Sequence, residues 1–285
     1  MQSLSYNNDN FNITEPFKGL FTQGMVCHET YKDKDGNWLS PEEVVSKDGK
    51  KFFKKDDSSH SVHVGPTESM SKSKKNTINP EDIINNYGAD AVRLFILSDS
   101  PPEKDVQWSD QGMVASFKFI QKMWALHIKI IEKISTNNSD DEDSSSSKNI
   151  LQFTNLLIDK ITNNLEKFHY NGIIANFYET YNFLNKEIEK KIDKKILEEN
   201  YIQILKLLFP IIPHFASEAL EQLNKENLYF WPKANKEFLV KDNVDIVIQI
   251  NGKKRSIINA NMDIQEETLI NLIKKDNNLS KFLNG

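Results

Sequence analysis

Cysteine is almost absent from the 285 residues: Cys27 stands alone, so no disulfide can close within the chain, and such scarcity suits a reducing compartment. No uninterrupted apolar run reaches membrane-spanning length, and no charged-then-apolar stretch reads as a leader, so the cytoplasm is the expected location. No internal repeat is found. An excess of positive charge is missing too. The formal net charge is −5, a poor overall balance for a polyanionic partner, yet the average conceals its distribution. Between Lys47 and Lys75 eight lysines face four acids, a local +4, while Asp-Asp-Glu-Asp at 140–143 offsets much of it elsewhere. Local fields steer a polyanion; net charge does not.

What is present is an ordinary soluble composition, 38% hydrophobic and 27% charged, able to bury a core. The length exceeds one typical domain and leaves room for two or three. Residues 1–14 are polar and Asn-rich, and read as disordered or as a truncated entry to the fold. From 15 to 68 the chain reads as short strands and turns: 20–26 is strand-like, Asp35-Gly36 and Asp48-Gly49 are turn signals, and 51–55 is a short basic strand or loop. Two helical pieces follow at 80–87 and 89–98, broken at Gly88.

After Trp108 the period becomes helical. Ser109 can cap a helix whose apolar stripe is Met113, Phe117, Ile120, Trp124, Ile128, Ile131 and Ile134. A second stripe runs Leu151, Thr154, Ile158, Ile161, Leu165, Phe168, and a third runs Ile174, Phe177, Tyr181, Leu184, Ile188. One stripe each is what helices of a bundle need. Trp108 and Trp124 are expected in the core. Residues 135–148, rich in Ser, Asn and Asp, read as a flexible loop between the first two helices. Further helices fit 195–209 and 213–224, set apart by Pro210 and Pro213. From Asp242 the period falls to two: Val244, Ile246, Ile248 and Ile250 alternate with polar residues up to an Asn251-Gly252 hairpin turn, with a helix at about 265–275 beyond.

The most informative stretch is 69–75, Ser-Met-Ser-Lys-Ser-Lys-Lys, which runs into Asn79 as a helix cap, Pro80 at the first helical position, and Glu81 and Asp82 in the first turn. Most basic runs are solvated surface faces. A short loop of hydroxyl residues with a lysine in mid-loop, pinned to a helix start, also suits an anionic group whose charge changes during a reaction, since an ammonium on a flexible stem can follow a moving phosphate. Lys72 is the candidate for that work, with Lys74 and Lys75 behind it.

Ser-Met-Ser-Lys-Ser resembles the Lys-Met-Ser-Lys-Ser signature of class I aminoacyl-tRNA synthetases, and 79–95, Asn-Pro-Glu-Asp-Ile-Ile-Asn-Asn-Tyr-Gly-Ala-Asp-Ala-Val-Arg-Leu-Phe, continues as those enzymes do. Residues 15–26, 28–32 and 98–108 look like the bacterial-type leucyl-tRNA synthetases, as do 208–218 and 247–253 further on, so the resemblance covers nearly the whole chain. Two features depart from the family. The first signature lysine is Ser69, and none of His28, His60, His63, His127, His169 or His214 lies in a His-x-Gly-His element. With nothing upstream of Met1 to hold that element or the family's inserted editing domain, the chain is expected to be the C-terminal part of a synthetase, cut short again near Gly285.

The resemblance implies a multidomain, mainly α fold: the end of a class I nucleotide-binding α/β catalytic domain (1–108, loop at 69–73), an α-helical bundle of anticodon-binding type (109–242), and a small α/β C-terminal module (243–285) that contacts tRNA. It implies leucine activation by ATP, brought as its Mg2+ complex, and transfer of leucine to tRNA(Leu). In that scheme Lys72 stabilises departing pyrophosphate, Met70, Ser71, Lys72 and Ser73 meet ATP, and Lys253, Lys254 and Arg255 meet tRNA. No tightly bound cofactor is expected, nor a membrane partner. The chain is expected to be monomeric, to work with an N-terminal half, and to be inactive alone. The alternatives are a valine, isoleucine or methionine enzyme of the same class, or a stand-alone tRNA-binding module without catalysis. Cys27-His28 with His60-x-x-His63 supplies only one thiolate at a spacing unlike known fingers, so no metal is assigned.

Overall fold

A computed structural model describes residues 17–46, 51–135, 145–224, 230–239, 243–261, 264–275 and 279. Its first half is organised by β1 (Val26–Lys32), a central strand with neighbours on both edges. On one edge β1 pairs antiparallel with β2 (Trp38–Leu39), the two joined by a tight turn. In that turn Asp33 Oδ1 accepts the N–H groups of Asp35 at 2.9 Å and Asn37 at 2.8 Å, and Gly36 takes φ +85°. A lobe of β3 (Val44–Ser46), β4 (Phe52–Lys54) and β5 (Asp57–Ser61) forms a separate three-stranded sheet. The chain then returns as β6 (His63–Ser69) on the opposite edge of β1, with Cys27 opposite Ser69 and His28 opposite Glu68. Val62, Tyr31 and Leu39 form the small core joining the two sheets. The turn expected at Asp48-Gly49 lies outside the described residues.

The strand expected over 20–26 begins only at Val26. Leu20 stands 92% exposed, and among the described residues 17–25 form no strand ladder, touching 102–106 only at their end. There Gly24 donates to Pro102 O at 2.8 Å, and a side chain at Gly24 would overlap the backbone of Lys104, which requires glycine. Just beyond, β7 (Val106–Gln107) pairs parallel with the start of β1.

Helices α1 (Pro80–Tyr87) and α2 (Ala89–Ser98) are separated at Gly88, whose φ of +81° no helix accommodates. Helix α3 (Asp110–Ser135) starts where Ser109 Oγ accepts Gly112 N–H at 3.2 Å. Its fully buried stripe is Met113, Ser116, Phe119, Met123, Leu126, His127 and Ile130, a rotation away from the expected one; Ile128 is exposed, and Phe117, Ile120 and Trp124 are half-buried at the margin. Two polar residues, Ser116 and His127, occupy the inner face, so ranking positions by bulk misplaced its centre. Trp108 packs edge-on against Phe95 at 5.2 Å.

The bundle is completed by α4 (Ser145–Glu166), α5 (Tyr170–Glu187), α6 (Lys194–Leu208) and α7 (Pro213–Gln222). One apolar cluster runs through α2 to α7, with Phe177, Leu205 and Ala219 fully enclosed. Two expectations are corrected in α4. Residues 145–148 belong to the helix and not to a loop: Ser146 and Ser147 are buried, and Ser147 Oγ accepts the Asp193 N–H at 3.0 Å. Phe168 leaves the stripe, past the helix end at φ +56°, and lies 4.9 Å from the ring of Phe21. Its neighbour His169 donates to Asn164 O at 2.8 Å, closing the helix. The expected loop residues 136–144 lie outside the described ones.

The hairpin follows its alternation. Strands β8 (Asn243–Ile250) and β9 (Lys253–Asn261) pair antiparallel around Asn251 and Gly252, both at positive φ as a primed turn demands, and α8 (Glu266–Lys275) succeeds them. Among the described residues no helix is long and apolar enough to cross a membrane.

Candidate functional site

The signature loop leaves the end of β6 and folds into a single 3-10 turn, Lys72–Lys74. Met70 N–H donates to Val26 O at 3.1 Å, which carries the β1–β6 ladder one step past Ser69. Ser71 caps the turn: its Oγ accepts Lys74 N–H at 3.3 Å and lies 3.0 Å from Ser73 Oγ. Lys75 closes it in the left-handed region at φ +53°, its N–H donating to Lys72 O at 3.3 Å. Asn79 Oδ1 then accepts Glu81 N–H at 3.2 Å with Pro80 at the first helical position, so the loop is anchored to a strand on one side and a capped helix on the other.

Three lysines that look alike in sequence differ in their surroundings. Lys74 Nζ is paired with the Glu68 carboxylate. Lys75 Nζ lies 3.8 Å from Glu43 Oε2, a residue of the 3-10 turn Pro41–Glu43 that leads into the β3–β5 lobe. The Glu43 carboxyl sits below its ordinary range, chiefly because Ser40 N–H donates to it, with desolvation opposing and Lys75 helping. Lys72 is exposed, and among the described residues its ammonium has no hydrogen-bond or ion-pair partner. An ammonium left unneutralised at the tip of an anchored turn is what an incoming anion would meet first.

The remaining expected residues lie elsewhere. Ser69, where the family signature has lysine, ends β6 with its Oγ 3.9 Å from Cys27 Sγ. Lys253, Lys254 and Arg255 begin β9, exposed just after the hairpin turn, on a two-stranded sheet separate from the one that carries the loop. His28 Nδ1 lies 2.9 Å from Glu29 O and His60 Nδ1 2.6 Å from Asp57 Oδ2, while His63 pairs with Lys32 across the strands. Among the described residues no group of three or more His, Cys, Asp or Glu could hold a metal ion.

Sequence reading missed two features. One is Asn76, fully buried at the base of the loop. The other is a clamp on α2: Asp90 accepts Phe215 N–H at 2.7 Å and His214 N–H at 3.3 Å, with His214 Nδ1 at 2.9 Å. One turn later Arg93 donates to Ile211 O at 2.9 Å and Pro210 O at 2.8 Å. Its only sequence signal was the i, i+3 spacing of an acid and an arginine, which puts both on one helix face.

Comparison with known proteins fits this architecture. The family described as tRNA synthetases class I (I, L, M and V) matches residues 62–109, the loop and the helices after it, and the family described as the anticodon-binding domain of tRNA ligase matches 147–270. Both matched segments liken the chain to the class I tRNA synthetases. Within that class its similarity is to leucine–tRNA ligases: that of Rickettsia massiliae (strain Mtu5) is 40% identical over 277 residues, 96% of this chain and 32% of the relative. That of Wolbachia pipientis subsp. Culex pipiens (strain wPip) is 37% identical over 268 residues, 91% of this chain and 31% of the relative. The chain therefore spans about a third of the length of the curated relatives it matches. Among solved structures it resembles the agnB2 LeuRS of Agrobacterium radiobacter K84, solved as a ternary complex with tRNA and LeuAMS, with a TM-score of 0.59 over 76% of this chain and 28% of that one. At 22% identity that likeness is one of fold.

Proposed function

We propose that this chain is part of a leucine–tRNA ligase, and that its loop at 69–75 stabilises pyrophosphate as it leaves ATP. In the first step the leucine carboxylate attacks the α-phosphorus of ATP, brought as its Mg2+ complex, and the bond to the bridging oxygen of pyrophosphate breaks. In the second, a terminal ribose hydroxyl of tRNA(Leu) attacks the leucyl carbonyl and AMP leaves. Charge moves onto the leaving phosphates in the first step, so a preorganised cation matters more there than proton transfer. The ammonium of Lys72, without a partner among the described residues, carries this reading, since Lys74 and Lys75 each already have a carboxylate. Met70, Ser71 and Ser73 are assigned to the ATP contact around it.

Residues 1–108 are assigned to the end of the nucleotide-binding fold, 109–242 to the helical bundle, and 243–285 to a module that meets the tRNA body through Lys253, Lys254 and Arg255. Such an enzyme works in the cytoplasm and as a monomer. In the complete enzyme, Lys72→Ala is expected to slow leucine-dependent ATP–pyrophosphate exchange by about 10²–10³-fold, the scale of losing one preorganised transition-state donor. Lys75→Ala, whose ammonium is shared with Glu43, should cost far less. Leucine affinity should hold, because the lysine acts on charge that develops during the reaction. Exchange by Lys72→Ala within about threefold of wild type, under ~1 kcal/mol, would reduce the loop to a basic surface run.

A further inference from the structure

Asn76 sits at the base of the signature loop with a side chain 0% exposed. An amide enclosed that completely has to satisfy both of its ends. Its Oδ1 accepts Ser71 N–H at 2.8 Å. Its Nδ2 faces the carbonyl oxygens of His28 at 3.3 Å, Glu68 at 3.2 Å and Ser69 at 3.5 Å. His28 and Glu68 are cross-strand partners in the β1–β6 ladder. One carboxamide therefore bridges the two central strands where the chain leaves β6, and ties both to the residue that caps the turn bearing Lys72.

The loop's ion pairs are restraints of a different kind. The Lys74–Glu68 and Lys75–Glu43 pairs are partly exposed, so salt screens them and each contributes little. The bonds of Asn76 are shielded, and leaving any of them unmade carries a desolvation penalty. An ammonium on a four-carbon stem has no fixed reach of its own, so its placement depends on the backbone at residue 72.

We propose that Asn76 is a positioning residue for adenylate formation: its buried carboxamide holds the 72–74 turn against β1 and β6, so that Lys72 is presented to the leaving phosphates from a fixed base. The proposal rests on the assignment of Lys72 made above. Asn76 acts through the Ser71 N–H, and its own side chain is sealed from substrate.

The test is a double-mutant cycle in the complete enzyme, read by leucine-dependent ATP–pyrophosphate exchange with the melting midpoint recorded alongside. Asn76→Ala in the wild-type background should lower kcat by about 10²-fold, the scale of a misplacement near 1 Å, with KM for leucine unchanged. Added to Lys72→Ala, the same change should cost less than about threefold, because the group it positions is gone. Equal losses in both backgrounds would overturn the proposal and make Asn76 a general support of the fold. A Lys72→Ala enzyme within about threefold of wild type would sink the reading of the loop itself, and the proposal with it, so the two failures have separate signatures. If Asn76→Ala loses its cooperative melt, Asn76→Asp carries the same expectations: it keeps the shape and the acceptor for Ser71, and replaces the donor facing His28 and Glu68 with an oxygen.

Discussion

Replacing Asp90 by alanine removes the acceptor for the first turn of α7. The carboxylate accepts two backbone N–H groups there, from Phe215 at 2.7 Å and His214 at 3.3 Å, and also meets the His214 ring. It supplies from another helix what an N-cap side chain normally supplies, since Ile212, in the cap position, has none to give. Loss of a cap costs about 1 kcal/mol, and a buried donor left unsatisfied costs about 1–3 kcal/mol, so Asp90→Ala should destabilise the bundle by about 2–4 kcal/mol. Asp90→Asn keeps one acceptor oxygen and gives up the charge at the helix N-terminus, a loss of about 1 kcal/mol. Equilibrium urea unfolding followed by helical circular dichroism measures both as midpoint shifts at unchanged slope. The order wild type, Asn, Ala is the diagnostic result. Asp90→Ala within about 0.5 kcal/mol of wild type, the scatter of ordinary surface substitutions, would show that water satisfies α7 and that the clamp is incidental.

His127 gives a pH prediction. Its Nδ1 lies 2.9 Å from the Tyr201 hydroxyl and its Nε2 3.3 Å from Gln222 Oε1, and burial pushes its pKa down, partly opposed by Gln222 and Glu218. The unfolded chain therefore takes up the proton first: the stabilisation is full above the ordinary value of 6.5 and is lost as pH falls below it toward the folded value. Between pH 7.5 and 5, wild type should lose up to about 1.4 kcal/mol per pH unit more than His127→Gln, and equal slopes in urea titrations would refute this. For the hairpin, replacing Lys253, Lys254 and Arg255 together by alanine should weaken tRNA(Leu) binding and flatten the dependence of log K on log salt by about 2–3. An unchanged slope in filter binding removes these residues from the RNA contact.

Much of the architecture was legible in the residues themselves. Gly88 between two helical patterns, Asn79-Pro80 at a helix start, Asn251-Gly252 between alternating strands, and Pro210 and Pro213 around a turn all act through local backbone restrictions, which hold whatever the surroundings. The signature at 69–73 was equally plain, because its residue types and spacing are contiguous. What failed was whatever depends on a partner distant in sequence. The α3 stripe was centred on the bulkiest residues, whereas packing selected a face that includes His127, made acceptable inside by Tyr201 and Gln222, each on a different helix. Serines 146 and 147 looked like loop and are buried helix, where Ser147 Oγ accepts the N–H of Asp193, 46 residues further on.

The loop shows the same division within seven residues. Sequence by itself determined that a lysine-bearing loop would run into a capped helix. It ranked Lys72 ahead of Lys74 and Lys75 by position in the signature alone, with nothing about their surroundings. Only the tertiary structure brought Glu68 to Lys74 and Glu43 to Lys75, left Lys72 without a carboxylate among the described residues, and buried Asn76 between two strands to hold the turn in place. The physical reason is range. Backbone preferences act over one to four residues and can be read along the chain, whereas charge pairing and the satisfaction of buried polar groups depend on which distant groups folding brings within about 3–4 Å.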